Sequence, residues 1–244
     1  MNRDGNLNLF GEREITSLPD NLTVEKDLIL QSSGITSLPD GLIVGGSIDL
    51  SGTRIAKLPK NLSVGNDLNL EETAITELPD GLKVGGDLNL SCTGITSLPD
   101  NLTVEGDLYL SGLEIISLPL NLTVKGSLYL DATDITRLPD DLNVGGCLSL
   151  RGTDITNLPD DLTVRGDLDI SNTNIVSLPN NLTVRRNLDI SYTNIASLPD
   201  NLTVGGYLNL RGTKITRLPD NMEITLWLDR SGSKWTSLYR YFER

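Results

Sequence analysis

Residues 81–100 read GLKVGGDLNLSCTGITSLPD, and residues 201–220 read NLTVGGYLNLRGTKITRLPD. Written in rows of twenty, nearly every row of the chain falls on this pattern without a gap. A fixed period of that length is the signature of a solenoid, in which each repeat is one turn stacked on the last. All eleven prolines, from Pro19 to Pro219, occupy one slot of the row. Random placement does not do that.

With Asn201 as slot 1 and Asp220 as slot 20, the apolar slots are 2, 4, 8, 10, 15 and 18, filled by residues such as Leu202, Val204, Leu208, Leu210, Ile215 and Leu218. Slots 8 and 10 alternate with mostly polar slots 7, 9 and 11, the period-two pattern of a strand with one buried face. Successive rungs are expected to pair these strands in parallel. Glycine at slot 12, as at Gly52, Gly112, Gly152 and Gly212, suits a tight bend because glycine accepts positive φ. Threonine fills slot 13 in most rows, and a buried hydroxyl needs partners. The expectation is an inward threonine ladder, bonded to backbone groups of its own and neighbouring turns. Leu-Pro-Asp-Asn, as at 198–201, fits a type I turn with proline second, with Gly41 and Gly81 suited to its fourth position. Proline also stops a helix from continuing, so both long sides of the rung read as extended.

The segment LNLSCTGITSLPDNL (88–102) resembles the bacterial leucine-rich repeat, whose core LxxLxLxxNxL is followed by an LPxxL stretch. The resemblance spans essentially the whole chain. It implies a mostly β, right-handed solenoid of about twelve 20-residue rungs, with a parallel concave sheet and an extended convex side. Two departures stand out. Threonine replaces the usual asparagine, and glycine or a charged residue stands where the first leucine belongs, with valines such as Val84 substituting one slot earlier. A straighter β-helix is the alternative fold.

The ends break the pattern. Leu9 sits six residues before Ile15, where later rows have five, so one residue is inserted, read as a bulge in the opening rung. In the last row Arg230 takes an apolar slot, and five of the ten aromatics fall within 227–242. Trp235, Leu238, Tyr239 and Phe242 follow helical spacing, which predicts a short capping helix over 234–243. The chain thus reads as one leucine-rich-repeat domain over 1–244: an irregular first rung (1–20), regular repeats (21–220) and a C-terminal cap (221–244). No cap helix precedes the first rung, and a homodimer through that end is one way to cover it.

Composition narrows the chemistry. The 244 residues include no histidine and two cysteines, which disfavours zinc sites and most acid-base machinery. Cys92 and Cys147 lie almost three rungs apart, too far for a disulfide. No nucleophile with a base, paired catalytic acids or phosphate loop is identifiable, so neither an enzyme nor a cofactor is expected. The net charge of −13 argues against direct binding of nucleic acid. The first residues carry neither a basic leader nor a hydrophobic stretch, and no apolar run is long enough to span a bilayer; the expectation is a cytoplasmic chain away from the membrane. Charge is uneven: residues 1–140 hold 21 acidic and 9 basic side chains, residues 141–244 hold 12 and 11.

In a leucine-rich-repeat sheet, slots 7, 9 and 11 project from the concave face. Arithmetic therefore lists a candidate partner-binding surface. Its N-terminal part is Asp49, Asp67, Asp87, Asp107, Tyr109 and Tyr129. Asp169, Asp189 and Tyr207 continue it towards the C-terminus. Tyr109 and Tyr129 share a slot in consecutive rungs, about 4.8 Å apart, and tyrosines are favoured interface anchors. Asp67, Asp87 and Asp107 repel one another at that spacing, a cost that a cation or a basic partner relieves; single carboxylates in a row are a poor match for calcium, and no metal is expected. Arg165, Arg185 and Arg186 cluster at the edge where the strand begins.

These features favour a module that binds a protein partner, basic or mixed in charge, in the manner of a bacterial effector or inhibitor. An acidic decoy that imitates DNA, of phage or mobile-element origin, is a second reading. A structural or designed consensus scaffold is a third.

Overall fold

A computed structural model describes residues 5–219 and the strand Leu228–Asp229. Along one side of every rung lies a strand of two residues, and twelve of them form a single parallel sheet in chain order, from Leu7–Asn8 to Leu228–Asp229. The register advances by one row: Leu108 pairs with Leu128 and Tyr109 with Tyr129. Among the described residues there is no helix.

The apolar slots point inward and merge into one core running the length of the stack. Leu28, Leu30 and Ile35 are fully buried, and so are their counterparts Leu68, Leu70 and Ile75. Each such side chain contributes roughly 1.5–3 kcal/mol relative to exposure. One rung alone has nothing to pack on; stacking supplies the second surface.

The opposite side is more ordered than the sequence suggests. Slots 3 and 4 form strands too: seven pair in parallel from Thr23–Val24 to Asn143–Val144, and three more from Thr163–Val164 to Thr203–Val204. Slot 3 mostly faces out and slot 4 is buried, so threonine and valine meet the two demands of a half-buried strand.

Turn chemistry follows the backbone more than the residue type. Slot 12 has positive φ in every regular rung through Gly212, whether it holds glycine, as at Gly52 (64°), or Ser32 (55°), Glu72 (56°), Cys92 (58°) and Tyr192 (57°). Six of ten rungs therefore accept the αL strain that glycine would avoid. At the proline corner the expected turn is displaced by one residue. Leu202 N–H donates to Pro199 O at 3.2 Å and Leu82 N–H to Pro79 O at 3.3 Å, making proline the first residue of the turn rather than the second. Gly81 and Asn101 then sit third with φ of 69° and 59°, the place where a type II turn wants glycine or asparagine.

The threonines of slot 13 do point inward. Thr53, Thr133 and Thr193 donate Oγ1–H to the carbonyl three residues earlier at 2.7–2.8 Å. The bond stays within one turn and does not cross to the next rung, because that carbonyl lies within reach of the hydroxyl. Ser33 in the same slot is buried with its Oγ unpartnered.

The inserted residue of the first rung is not a strand bulge. Leu7 pairs with Leu28 and Asn8 with Ile29 in an unbroken ladder. The extra residue is absorbed afterwards in a turn closed by Ile15 N–H on Glu12 O (3.3 Å). Gly34 makes room for it: a Cβ there would stand 2.1 Å from Arg13 O. The capping helix expected over 234–243 lies outside the described residues.

Candidate interaction face

Two-residue strands leave backbone groups at both ends without a ladder partner, and buried or half-buried amides require one. In slot 7 the need is met by the side chain of the rung before. Asp87 N–H donates to Asp67 Oδ1 (2.9 Å), Asp107 N–H to Asp87 Oδ1 (2.7 Å) and Ser127 N–H to Asp107 Oδ1 (2.6 Å). The chain of bonds runs from Asn6, which accepts from Asp27 N–H, to Asn187, which accepts from Tyr207 N–H. Serine and cysteine serve in the same role, Ser127 Oγ at 3.1 Å and Cys147 Sγ at 3.3 Å.

Slot 9 closes the other end. Asp49, Asn89, Asp169 and Asp189 each accept the N–H two residues on, at 2.8–3.0 Å, the local geometry of an Asx turn. Where slot 9 is Ser149, which has no such reach, Asp131 of the rung before takes the Arg151 N–H at 3.1 Å and also accepts the Ser149 hydroxyl. The like-charged column therefore has a structural cause. One oxygen of Asp67, Asp87 and Asp107 is committed to a neighbour's amide, which offsets part of their mutual repulsion without a cation.

Glycine at slot 6 is the other half of this device, and the sequence reading passed over it. A Cβ on Gly86, Gly106 or Gly126 would stand 2.1–2.2 Å from Oδ1 of Asp67, Asp87 or Asp107. The signal was available as the pairing of an acceptor in slot 7 with a glycine nineteen residues later. At Arg186, where that glycine is missing, the acceptor Asp167 forms an ion pair with Arg186 Nε at 3.7 Å.

On this lattice stand the tyrosines. The rings of Tyr109 and Tyr129 stack with centroids 4.9 Å apart and planes 9° from parallel. Both are half-buried, and Tyr109 OH donates to Asp107 Oδ2 at 3.3 Å. Partial burial first, then the charges of Asp107 and Asp87, push the Tyr109 pKa up to about 12. Tyr207 is 51% exposed. Beyond the sheet edge, Arg211 lies over the Tyr192 ring, 5.5 Å from its centroid. Asp169 is half-buried; desolvation and the neighbouring Asp189 and Asp131 raise its pKa, against hydrogen bonds from Ser171 that lower it. The sequence-derived residues are thus one surface, but one too long for a single cluster: the group from Asp49 to Tyr129 and the group from Asp169 to Tyr207 are separated by Ser149.

No protein-family model matches the chain, and no curated protein matches it. Solved structures do. A leucine-rich-repeat protein of Leptospira interrogans matches with a TM-score of 0.50 at 19% identity, over 82% of this chain and 72% of that one. The fold is that of the leucine-rich repeats. The leucine-rich effector protein YopM from Yersinia pestis matches at a TM-score of 0.45 and 19% identity, over 90% of this chain and 88% of its own. YopM from Yersinia enterocolitica gives 0.38 and 20%, over 87% and 70%. At such identities the likeness describes the backbone and not the surface. In this leucine-rich-repeat chain the departures noted in the sequence have a place: Val84 and its equivalents fill the inward slot of the second sheet, where the family has its first leucine one position later. Among the described residues, no group of three or more cysteine, aspartate and glutamate side chains is placed to hold a metal ion.

Proposed function

We propose that the chain is a protein-binding module that takes its partner on the outward side of the twelve-stranded sheet. The observation that carries this reading is the Tyr109–Tyr129 stack. It is a rigid aromatic pair on a preorganised surface, half-buried, beside the carboxylates of Asp107 and Asp87. Aromatic anchors in such a setting carry a large share of binding energy, and a surface held by backbone bonds loses little entropy on docking. The surrounding carboxylates favour a partner with basic groups, in the role of an effector or an inhibitor. Affinity capture from a lysate of the source organism, with wild type against Tyr109→Ala/Tyr129→Ala, tests it. At least one captured protein is expected to be lost while the circular dichroism and Tm hold; retention of every one ends the reading and leaves a scaffold role.

The charge of residues 1–140 supports a second reading, an acidic decoy for a nucleic-acid-binding protein. Replacing Asp49, Asp67, Asp87 and Asp107 by asparagine keeps every backbone acceptor and removes four charges. Undiminished inhibition of DNA binding by such a variant would exclude the decoy. Self-association through the first rung, where Leu7, Leu9 and Ile15 are only partly buried, is tested by light scattering of a Leu9→Glu variant, which should be wholly monomeric.

A further inference from the structure

We infer that the outward side of the second sheet carries an oxyanion site at Arg165 and Arg185, fitted to the phosphoryl group of a small molecule. The two arginines occupy slot 5, directly after the strands Thr163–Val164 and Thr183–Val184. The ladder continues through them: Arg185 N–H donates to Val164 O at 3.0 Å, and Gly205 N–H to Val184 O at 2.9 Å. Arg165 and Arg185 therefore stand side by side on consecutive rungs, their backbones about 4.8 Å apart. Both are exposed, and the alternation of the strand turns Thr163 and Thr183, two residues earlier, to the same side.

Like charges placed side by side destabilise a ladder. Between residues 21 and 220, slot 5 brings two charged residues together at only two joints. At the first, Glu105 and Lys125 form an ion pair. At the second, Arg165 and Arg185 meet, and among the described residues neither has an ion-pair partner. The third arginine is accounted for, since Arg186 Nε lies 3.7 Å from Asp167 Oδ1. Slots 3 to 6 of the four rungs from 141 to 220 contain no carboxylate, and slots 5 and 6 of the two outer rungs are all glycine: Gly145, Gly146, Gly205 and Gly206. No side chain at those positions covers the arginines from either flank. At the proline corner before them, Asp161 accepts from Asn181 Nδ2 at 2.7 Å. A guanidinium presents a rigid fork of N–H donors that matches a tetrahedral oxyanion. The Thr163 and Thr183 hydroxyls add donors beside it; Thr183 Oγ1 reaches only Asn181 O, at 3.5 Å. An anion held between the two forks removes a repulsion that the chain's own carboxylates leave standing. A long polyanion is disfavoured, because the net charge of −13 repels it, whereas a single phosphoryl group needs only the local surface. Tyr109 and Tyr129 lie on the other sheet, so this site does not depend on a partner at the tyrosines.

Nuclear magnetic resonance of the isotope-labelled full chain tests the site, with inorganic phosphate titrated against chloride at constant ionic strength. Saturable shifts of the Arg165 and Arg185 Nε–H groups and of the Arg185 amide are the expected result, with none from chloride alone. Arg165→Gln and Arg185→Gln should each weaken the affinity roughly tenfold, as loss of one charge-assisted contact does, while Arg186→Gln should stay within about twofold of wild type. In Arg165→Glu, which copies the pairing of Glu105 with Lys125, phosphate binding should be lost and the Tm should exceed that of wild type. Phosphate itself should raise the Tm of wild type and not of this variant. Shifts that grow without saturation, shifts that chloride reproduces, affinities unchanged in Arg165→Gln and Arg185→Gln, or a Tm of Arg165→Glu no higher than wild type would each overturn the site. Tighter binding of a short DNA duplex than of phosphate would overturn its assignment to a small molecule.

Discussion

Asp87 shows how a residue that looks like surface decoration can be part of the frame. Its Oδ1 holds the Asp107 amide at 2.7 Å, so Asp87→Ala should cost about 1–3 kcal/mol in urea unfolding, the penalty of an unsatisfied donor beside a lost charged acceptor. Asp87→Asn should cost much less, because the amide oxygen replaces the carboxylate one. A second residue-scale consequence concerns Tyr109. Its folded-state pKa of about 12 lies above its ordinary 10.0, so the fold resists deprotonation. Tyr109 therefore adds stability below pH 10 that is withdrawn as pH rises towards 12. Spectrophotometric titration should show one late phenol near pH 12, absent from Tyr109→Phe and moved towards 10 in Asp107→Asn.

At the scale of the element, the short strand is defined by what closes its ends, and Gly106 measures this. Gly106→Ala puts a Cβ 2.2 Å from Asp87 Oδ1 and should destabilise by roughly 1–3 kcal/mol, as overpacking does. The Cβ would also stand 2.7 Å from Gly86 C and 2.8 Å from Asp87 N, so Asp87→Ala should relieve only the side-chain part of the loss and leave the backbone part in the double variant. Cross-strand charge gives a prediction of opposite sign. Asp169 pairs directly with Asp189, and its raised pKa means that the fold favours its protonated form. Its relative stabilisation is present at low pH and lost as pH rises through the raised value. Asp169→Asn, which keeps the acceptor for Ser171, should gain about 0.2–1 kcal/mol at pH 7, and calorimetry in acid should find the gain gone. The inward slots were legible in the sequence because burial imposes a strict alternation that leucine, isoleucine and valine display. The role of slot 7 was not. An aspartate that caps a backbone amide and one that waits for a partner have the same composition and spacing, and only the placement of Asp107 N–H over Asp87 separates them. The turn at Pro199 was misplaced by one residue for a similar reason: proline fits either of the first two positions, and the hydrogen bond from Leu202 decides.

Over the whole molecule, stability is a sum over neighbours. Each rung touches the one before and the one after, so removal of residues 81–100 joins Leu68 to Leu108 without altering any contact type. The shortened chain should fold, with the circular dichroism spectrum of the parent and a urea m-value reduced in proportion to the lost rung. Charge behaves differently, because it does not repeat. The acidic side chains concentrate in residues 1–140 and the arginines Arg165, Arg185 and Arg186 stand later, so a stack uniform in its interior is electrically lopsided outside. The interior was written plainly in the period of twenty; the lopsidedness marks where natural selection, or a designer, left the repeat free to vary.

The column of side-chain acceptors has a direction. Along this column each rung offers a side-chain acceptor, an oxygen or, at Cys147, a sulfur, to the amide of the rung that follows it, so during synthesis every new turn meets a docking point already in place. The same asymmetry bears on ancestry. A single row of twenty carries both the glycine that admits the preceding acceptor and the acceptor that serves the next row. A duplicated row is therefore compatible with its own copy, and such a chain can lengthen by one turn at a time with no compensating change elsewhere.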